Sequence, residues 1–324
     1  MTSTPGGLLA VHAHPDDETL ATGALLATWA AAGAPVTVVT CTRGERGEVI
    51  PPELRHLEGD GERLADHRER ELAAALAVLG VTDHAFLDTL PTTAAAAAPS
   101  QPDPAAPPRA RRDRYEDSGM VWVGAGRAGS SGQVPPHAFV GAPLDEAAGR
   151  LATLLRERRP AVVASYDPEG GYGHPDHVRA HEVTMRAVDL ARGDGWEPAV
   201  LWRRAGRAAL AAAQRALAGD AVRAALGSAY DQFTLPSDQL PALAVADDLV
   251  DLAVDARAVR ERVLSALVAH ETQVQAVRAV DGEPALVGCY ALSNGVLAPL
   301  LAGEAYALVA GPAPVLPAGV RRLP

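Results

Sequence analysis

Two polar stretches carry most of the residues that could do chemistry. HPDDE, from His14 to Glu18, follows the apolar run LLAVHA, and HPDH, from His174 to His177, follows AVVASYDPEGGYG. Both stretches contain a His-Pro-Asp core that places imidazoles beside carboxylates. Burying so many ionisable groups would cost free energy unless a cation neutralised the carboxylates. Together the two stretches therefore predict a metal site.

The residue types restrict which metal this site would hold, while the spacing leaves its ligands open. A catalytic transition metal takes about three protein ligands and keeps one position free for water. More than one histidine favours zinc or iron over magnesium. Asp16 or Asp17 alone could instead be a helix N-cap, and Asp176 could serve only a helix dipole. His181 follows His177 by one helical turn, so these two could also form a ligand pair.

The hydrophobic pattern predicts elements that bring the two stretches together. A strand at Leu8–Ala13, a helix at Thr19–Ala32 and a strand at Val36–Cys41 form a βαβ unit, which is typical of a parallel sheet. Later segments repeat this alternation, with helices at 62–79 and 144–158 and strands at 85–88 and 161–167. Ligands of such sheets bind beyond the carboxyl ends of the strands, where both polar stretches lie. The predicted fold is α/β, a Rossmann-like and mostly parallel sheet flanked by helices.

The pattern changes after about Pro198. The sequence there predicts a strand at VLWRRA, a helix at 209–226, a strand or hairpin at 242–254 and a long helix at 257–275. No clear linker precedes this part. We therefore expect a catalytic core at 1–198 and an appended C-terminal α+β subdomain at 199–324 within one globular unit. The Ala/Pro-rich tract at 92–112 is predicted to be a loop, because its prolines interrupt helices and sheets.

Composition narrows the class of ligand. The chain of 324 residues has a formal net charge of −11, which disfavours nucleic acids and anionic membranes as partners. A small molecule is the better expectation. No apolar run approaches the length of about 20 residues that a membrane helix needs, and the N-terminus lacks the features of a signal peptide. The two cysteines, Cys41 and Cys289, match no metal or redox spacing, so we expect a cytoplasmic protein.

The motifs resemble those of a known family. HPDDE and HPDH are similar to the motifs of the LmbE-like, or PIG-L-like, zinc-dependent N-deacetylases. TCTRGERGEV, EDSGM, YDPEGGYGHPDH, HETQ and ALSNG resemble the branch that acts in mycothiol biosynthesis, so the similarity runs from Leu8 to Gly311. The resemblance implies zinc-dependent hydrolysis of the acetamide of N-acetylglucosaminyl inositol, giving acetate and the free amine. It also implies one Zn²⁺ per subunit, with Fe²⁺ as an alternative.

The resemblance also implies roles for the residues of the two motifs. His14, Asp17 and His177 match the family's zinc ligands. Asp16 matches the general base, which takes a proton from the attacking water. The resemblance further implies a protonated His174 that stabilises the oxyanion or protonates the amine, Asp176 as the residue that holds this imidazole, and Tyr172 as a helper at the oxyanion.

For substrate contacts the resemblance points to Glu48, Arg68, Asp117 and Met120. Charged and bidentate partners suit a polyhydroxylated sugar. Arg68 could instead lie on a solvated helix face, and Glu48 could be an ordinary loop acid. Glu18 receives no role, and neither do five histidines outside the two motifs: His12, His56, His67, His84 and His137.

Three other functions stay open. The phrase GERGEV is shared with the mycothiol S-conjugate amidases, so such a conjugate or another N-acetyl sugar could be the substrate. Clusters of acids and histidines also serve metal phosphoesterases, which would favour a second metal and more basic residues at the site. A sugar-binding protein without turnover is the third alternative. A nicotinamide-binding function is disfavoured, because no G-x-G-x-x-G follows the first strand.

Overall fold

The computed structural model describes residues 5–92, 114–124, 127–129, 132 and 135–323. The predicted loop at 92–112 lies outside these ranges except for Thr92. The strands of the described residues are β1 Leu8–His12, β2 Val36–Thr40, β3 Asp83–Phe86, β4 Val121–Gly124, β5 Arg127–Gly129, β6 Val162–Ser165, β7 Ala199–Gly206, β8 Ala244–Val245, β9 Leu252–Asp255, β10 Gln275–Ala279, β11 Leu286–Ala291, β12 Leu297–Leu301, β13 Gly303–Ala310 and β14 Val320–Arg322. The helices are α1 Asp17–Ala31, α2 Gly61–Leu79, α3 Leu144–Arg158, α4 Gly170–Gly173, α5 Pro175–Ala191, α6 Arg207–Ala216, α7 Asp220–Leu226 and α8 Arg260–Ala269.

The main sheet has a parallel half and an antiparallel half. Its order is β14-β9-β13-β7-β6-β1-β2-β3, and β8 pairs with β7. The strands from β3 to β7 along this order run parallel, whereas β13, β9 and β14 extend the sheet by antiparallel pairing. This arrangement confirms the predicted α/β fold with a mostly parallel sheet, to which the structure adds three antiparallel strands. The order reverses between β1 and β6, and the crevice beyond such a reversal is where open α/β sheets bind ligands.

Helices cover both faces of the parallel half. Leu8 and Ala10 of β1 pack in one core with residues of α1, α2 and α8, whereas Leu9 and Val11 pack in a second core with residues of α3 and α5. Successive side chains of a strand point to opposite faces, so a strand buried on both sides is apolar throughout. The run of buried residues in LLAVH therefore forms the centre of the sheet and fixes the position of the residues that follow it.

The segment after residue 198 contributes strands to two sheets. Strands β7, β9, β13 and β14 belong to the main sheet, while β10, β11 and β12 form a separate antiparallel sheet. This second sheet packs with α6 and α7 around its own core, which includes Leu217, Val222 and Leu297. The boundary predicted at residue 198 thus falls directly before a strand of the main sheet. The division into core and subdomain remains a prediction.

Two predicted helices of this segment differ from the structure. The helix expected at 209–226 is two helices, because the chain turns between α6 and α7 around Gly219. The helix expected at 257–275 ends at Ala269, since the turn that follows carries a buried histidine, His270, and leads into β10. Within the described ranges, no helix is both long and apolar enough to cross a membrane.

Candidate active site

The HPDDE motif turns sharply between β1 and α1. His14 is buried, and its backbone N–H donates to Oδ2 of Asp17, the first residue of α1, over 2.9 Å. Asp16 has a φ of 116°, a backbone conformation that costs a residue other than glycine about 1–3 kcal/mol. It occupies the N-cap position, yet its side chain makes no capping hydrogen bond. Its carboxylate is therefore available for contacts other than capping the helix.

Three buried side chains from the two motifs place donor atoms close together. Oδ2 of Asp17 lies 3.2 Å from Nδ1 of His14 and 3.3 Å from Nε2 of His177. Nε2 of His177 is buried and has no hydrogen-bond partner among the described residues. Ligand atoms that surround zinc tetrahedrally at about 2.0–2.2 Å lie about 3.3–3.6 Å from one another. The two distances are close to this spacing, and the donor types and the unpartnered nitrogen suit a divalent transition metal. The buried groups whose ligand atoms all lie within 4.8 Å of one another, however, join His14 and His177 with His174 and not with Asp17.

A second set of contacts surrounds His14. Its Nε2 lies 3.2 Å from Oδ2 of Asp176 and 3.7 Å from Oδ1 of Asp117. Asp176 is fully buried and accepts hydrogen bonds from the backbone N–H and the hydroxyl of Ser118, over 2.9 and 2.5 Å. Burial acts to lower the pKa of His14, but Asp117, Asp17 and Asp176 together raise it well above its usual value. The site thus strongly favours a positive charge at this position.

His174 caps α5 and is held in one tautomer. Its Nδ1 accepts a hydrogen bond from the backbone N–H of Asp176 over 3.1 Å, so the ring proton of the neutral imidazole lies on Nε2. Burial lowers the pKa of His174 to about 2, and His14 and His177 act in the same direction. These surroundings favour the neutral form of His174, with the ring proton on Nε2. The protonated form implied by the resemblance remains a prediction.

Asp176 contacts His174 differently from the expectation. The resemblance implied that its carboxylate holds the imidazole of His174. In the structure the contact to His174 comes from the backbone N–H, and the carboxylate contacts His14 and Ser118. The reason is local: Asp176 lies in the first turn of α5, so its amide faces the cap residue while its side chain reaches the end of β1.

Arg68 supports the turn that carries Asp16. It lies on α2, is 2% exposed and donates to the carbonyl oxygens of Gly44, over 2.6 Å, and of Pro15. Its Nη2 is 3.5 Å from Oδ1 of Asp16. Burial raises the pKa of Asp16 to about 7, although Arg68 acts to lower it. A buried guanidinium with these partners excludes the alternative of a solvated helix face.

The loop before HPDH is fixed by a buried acid. Oδ1 of Asp167 accepts hydrogen bonds from the backbone N–H groups of Glu169 and Gly171, over 2.7 and 3.2 Å, and its Oδ2 binds Arg204 of β7. Gly171 has a φ of 73°, which a side chain would strain. The loop places the ring of Tyr172 4.9 Å from that of His177, between ring centroids. Burial raises the pKa of Tyr172 well above its usual value, so its hydroxyl is protonated.

Comparison with known proteins identifies the family of the chain. The model of the PIG-L family, described as GlcNAc-PI de-N-acetylase, matches residues 9–188, which include both motifs. The chain belongs to this family. The de-N-acetylase match begins inside β1 and ends within α5, so it covers the parallel strands on both sides of the site except β7.

Individual relatives are similar to this protein over nearly the whole chain. A protein from Kineococcus radiotolerans named 1D-myo-inositol 2-acetamido-2-deoxy-alpha-D-glucopyranoside deacetylase is 43% identical over 95% of this chain and 78% of its own length. A protein of the same name from Thermobifida fusca is 41% identical over 95% of this chain and 94% of its own. Another from Streptomyces avermitilis is 42% identical, covering 94% and 92%.

The structure brings most of the predicted site residues to one place. Buried groups that could hold a metal ion include His14, His174 and His177, and also His14, Asp117, His174 and Asp176. His181 is turned away, because its Nδ1 lies 2.9 Å from the carbonyl oxygen of Tyr166 and its ring packs on Trp202. The alternative of a ligand pair formed by His177 and His181 is therefore not supported.

Glu48 and Met120 are the remaining predicted substrate contacts. Glu48 is exposed and lines an open cavity of about 470 Å³ with Arg55, Gln275 and Ser293 among other residues. Its carbonyl oxygen accepts a hydrogen bond from Gln273 over 3.0 Å. Met120 is half-buried and directly precedes β4. Both remain predictions.

Sequence reasoning missed several residues of the site. Ser118 binds Asp176, and the ring of Tyr166 stacks on His177 with 4.2 Å between centroids. Glu18 and His270 form a fully buried pair beside Asp16. The sequence singles out EDSGM, YDPEGG and HETQ as motifs, but a motif alone does not show which residues contact each other. Only the order of the strands shows which phrase lies beside which motif.

Proposed function

We propose that this protein hydrolyses the acetamide of N-acetylglucosaminyl inositol to acetate and the free amine, as a step in mycothiol biosynthesis. The main support is the identity of 41–43%, over at least 94% of the chain, with relatives named as deacetylases of that compound. The cluster of buried imidazoles and carboxylates beyond β1 and β6 supports the proposal independently, because amide hydrolysis needs a base and an electrophile in such a crevice. We further propose a cytoplasmic location.

His14, Asp17 and His177 are the residues that would hold one Zn²⁺ per subunit. Their donor atoms are two ring nitrogens and one carboxylate oxygen, a set that leaves positions free for water and substrate. A zinc ion there supplies Lewis acidity, which polarises the amide carbonyl and makes water more acidic. Asp176 would orient the ring of His14 through the contact of its Oδ2 with Nε2, as carboxylates commonly do for histidine ligands.

Asp16 and His174 would carry the proton transfers and the charge. Asp16 has a pKa of about 7 from burial, which suits a general base near neutral pH, and it would take the proton of the attacking water. The same proton would then pass to the departing amine. His174, as a neutral Nε2–H donor, would stabilise the oxyanion by a hydrogen bond. Tyr172 would assist it with its protonated hydroxyl.

Acetate release from N-acetylglucosaminyl inositol tests this function. We expect the zinc-loaded protein to form acetate and amine in equal amounts, and Asp16→Asn to lower kcat about 10²–10⁴-fold with bound zinc unchanged. Asp66→Asn, which changes an exposed carboxylate on α2, is the matched control and should keep full activity. Full activity of Asp16→Asn, or activity of protein shown to be metal-free, would contradict the proposal. A mycothiol S-conjugate assayed in parallel separates the deacetylase from the related amidase, because the preferred compound has the higher kcat/KM.

A further inference from the structure

Glu18 is a buried acid whose two oxygens serve different neighbours. It is 0% exposed. Its Oε2 accepts the backbone N–H of Asp16 over 2.9 Å. Its Oε1 lies 2.5 Å from the hydroxyl of Thr19 and 2.7 Å from Nε2 of His270. One carboxylate therefore links the turn that carries Asp16 to the C-terminal part of the chain.

His270 is held rigidly at the other end of this link. It follows α8, is 0% exposed, and its carbonyl oxygen accepts the N–H groups of Gln273 and Val274 over 3.0 and 2.8 Å. Thr272 of the same turn donates its N–H and its hydroxyl to the carboxylate of Glu71, both over 2.8 Å. The imidazole of His270 is thus fixed relative to α1 and α2 before any substrate binds.

The turn at Asp16 needs such support. Its φ of 116° persists only where neighbours hold the backbone in place. Arg68 holds the turn on one side, at the carbonyl oxygen of Pro15. Glu18 holds the other side, at the N–H of Asp16. If Glu18 lost its partner in the protein interior, its carboxylate would be drawn towards other donors and would release that N–H.

We propose that His270 is a positioning residue for Asp16 and acts through the carboxylate of Glu18. The inference rests on the proposed function, because the position of Asp16 matters only if its carboxylate moves a proton. The hydrogen bond of the His270 ring goes to Glu18, and the charge of His270 acts on Asp16 only by lowering the pKa of that carboxyl. His270 fixes Oε1 of Glu18, Glu18 fixes the backbone of Asp16, and a general base displaced by about 1 Å can lose about 10²-fold in rate.

Two amide substitutions at His270 test the hydrogen bond itself. The Nε2 of a glutamine reaches the position of the histidine Nε2, whereas the shorter asparagine does not reach Glu18. We expect His270→Asn to lower kcat about tenfold or more while KM changes by less than about threefold and bound zinc per chain stays the same. His270→Gln should keep kcat within about threefold of the wild type. A residue with a merely structural role would lower the melting temperature in both variants without this difference in kcat.

Tyr306→Phe is the matched control. The buried hydroxyl of Tyr306 also joins the C-terminal part to α1, because it donates to the carbonyl oxygen of Ala21 and to Glu304. The substitution removes these hydrogen bonds, and neither of them involves Asp16. It should lower the melting temperature and leave kcat unchanged. Equal kcat in folded His270→Asn and the wild type would overturn the inference. If His270→Asn does not fold, His270→Ala, which also cannot reach Glu18, takes its place: a kcat at least about tenfold below that of His270→Gln supports the inference, and equal kcat in the two variants overturns it. An inactive wild-type protein would instead contradict the proposed function.

Discussion

At the scale of single residues, neighbouring side chains in each motif have different partners. Asp16 and Asp17 are adjacent, yet Asp17 points to two imidazoles and Asp16 to a buried guanidinium. His174 and His177 lie three residues apart, yet His174 accepts a hydrogen bond from a backbone N–H, whereas Nε2 of His177 makes no hydrogen bond within the described ranges. These differences follow from the start of each helix, where backbone N–H groups point at some side chains and away from others.

Asp176 provides a test at this scale. Its carboxylate contacts His14 and Ser118, so Asp176→Asn should weaken zinc binding about 10–100-fold, as loss of an outer-shell carboxylate commonly does. The measurement is a zinc dissociation constant by competition with a chromogenic chelator. Ser118→Ala is the control, because it removes one hydrogen bond and keeps the carboxylate. If Asp176 acted on His174 instead, the asparagine variant would lose kcat with unchanged zinc affinity.

At the scale of elements, the sequence was most informative around the sheet. The helix predicted at 144–158 has those bounds, and β1 and β2 end one residue before their predicted ends. Apolar periodicity marks these elements because each has one face or both faces in the core. The same reasoning explains why the polar ends of β1 and β6 were expected to meet beyond the sheet.

The C-terminal elements were harder to predict for a physical reason. Apolar Val263, Leu264, Leu267 and Val268 predict the helix, but their periodicity gives no sign that α8 ends at Ala269. The helix ends where His270 meets Glu18, a partner 252 residues away in sequence. A contact of this kind cannot be seen in a local pattern. The pairing of carboxylates with imidazoles at the site was unpredictable for the same reason.

His84 on β3 provides a test at the scale of elements. Its Nε2 lies 3.1 Å from the hydroxyl of Thr40 on β2, and burial lowers its pKa to about 4, with Arg43 acting in the same direction. An unfolded histidine has a pKa of about 6.5. Between these pH values the unfolded chain therefore binds a proton that the folded chain does not bind. The free energy of unfolding falls as the pH drops from about 6.5 towards 4.

We expect His84→Gln to reduce this acid-dependent loss by about 1–2 kcal/mol between pH 7.5 and pH 5. Urea unfolding at the two pH values measures the loss for each variant. His56→Gln, at an exposed position, is the control and should follow the wild type. An identical pH dependence for His84→Gln and the wild type would show that the imidazole at β3 does not contribute.

At the scale of the whole molecule, the site depends on segments from both ends of the chain. The antiparallel strands β13, β9 and β14 continue the sheet beyond β7. Glu304 of β13 accepts the backbone N–H groups of Ala24 and Leu25 within α1, over 3.0 and 2.9 Å. Helix α1 carries Asp17 and Glu18 in its first turn. The C-terminal strands therefore hold the helix from which part of the site is built.

This dependence predicts that residues 1–198 do not fold alone. Without β7 the edge of β6 would be exposed, and the core that contains Leu25 and Leu26 would lose Leu201, Leu252, Val254 and Tyr306. Burial of such side chains contributes about 1.5–3 kcal/mol each, which is a large share of the net stability of a protein. The full chain should melt in one cooperative transition by circular dichroism, and the 1–198 fragment should show none. A cooperative transition of the fragment would mean that the parallel half is a domain of its own and that the C-terminal strands only cover it.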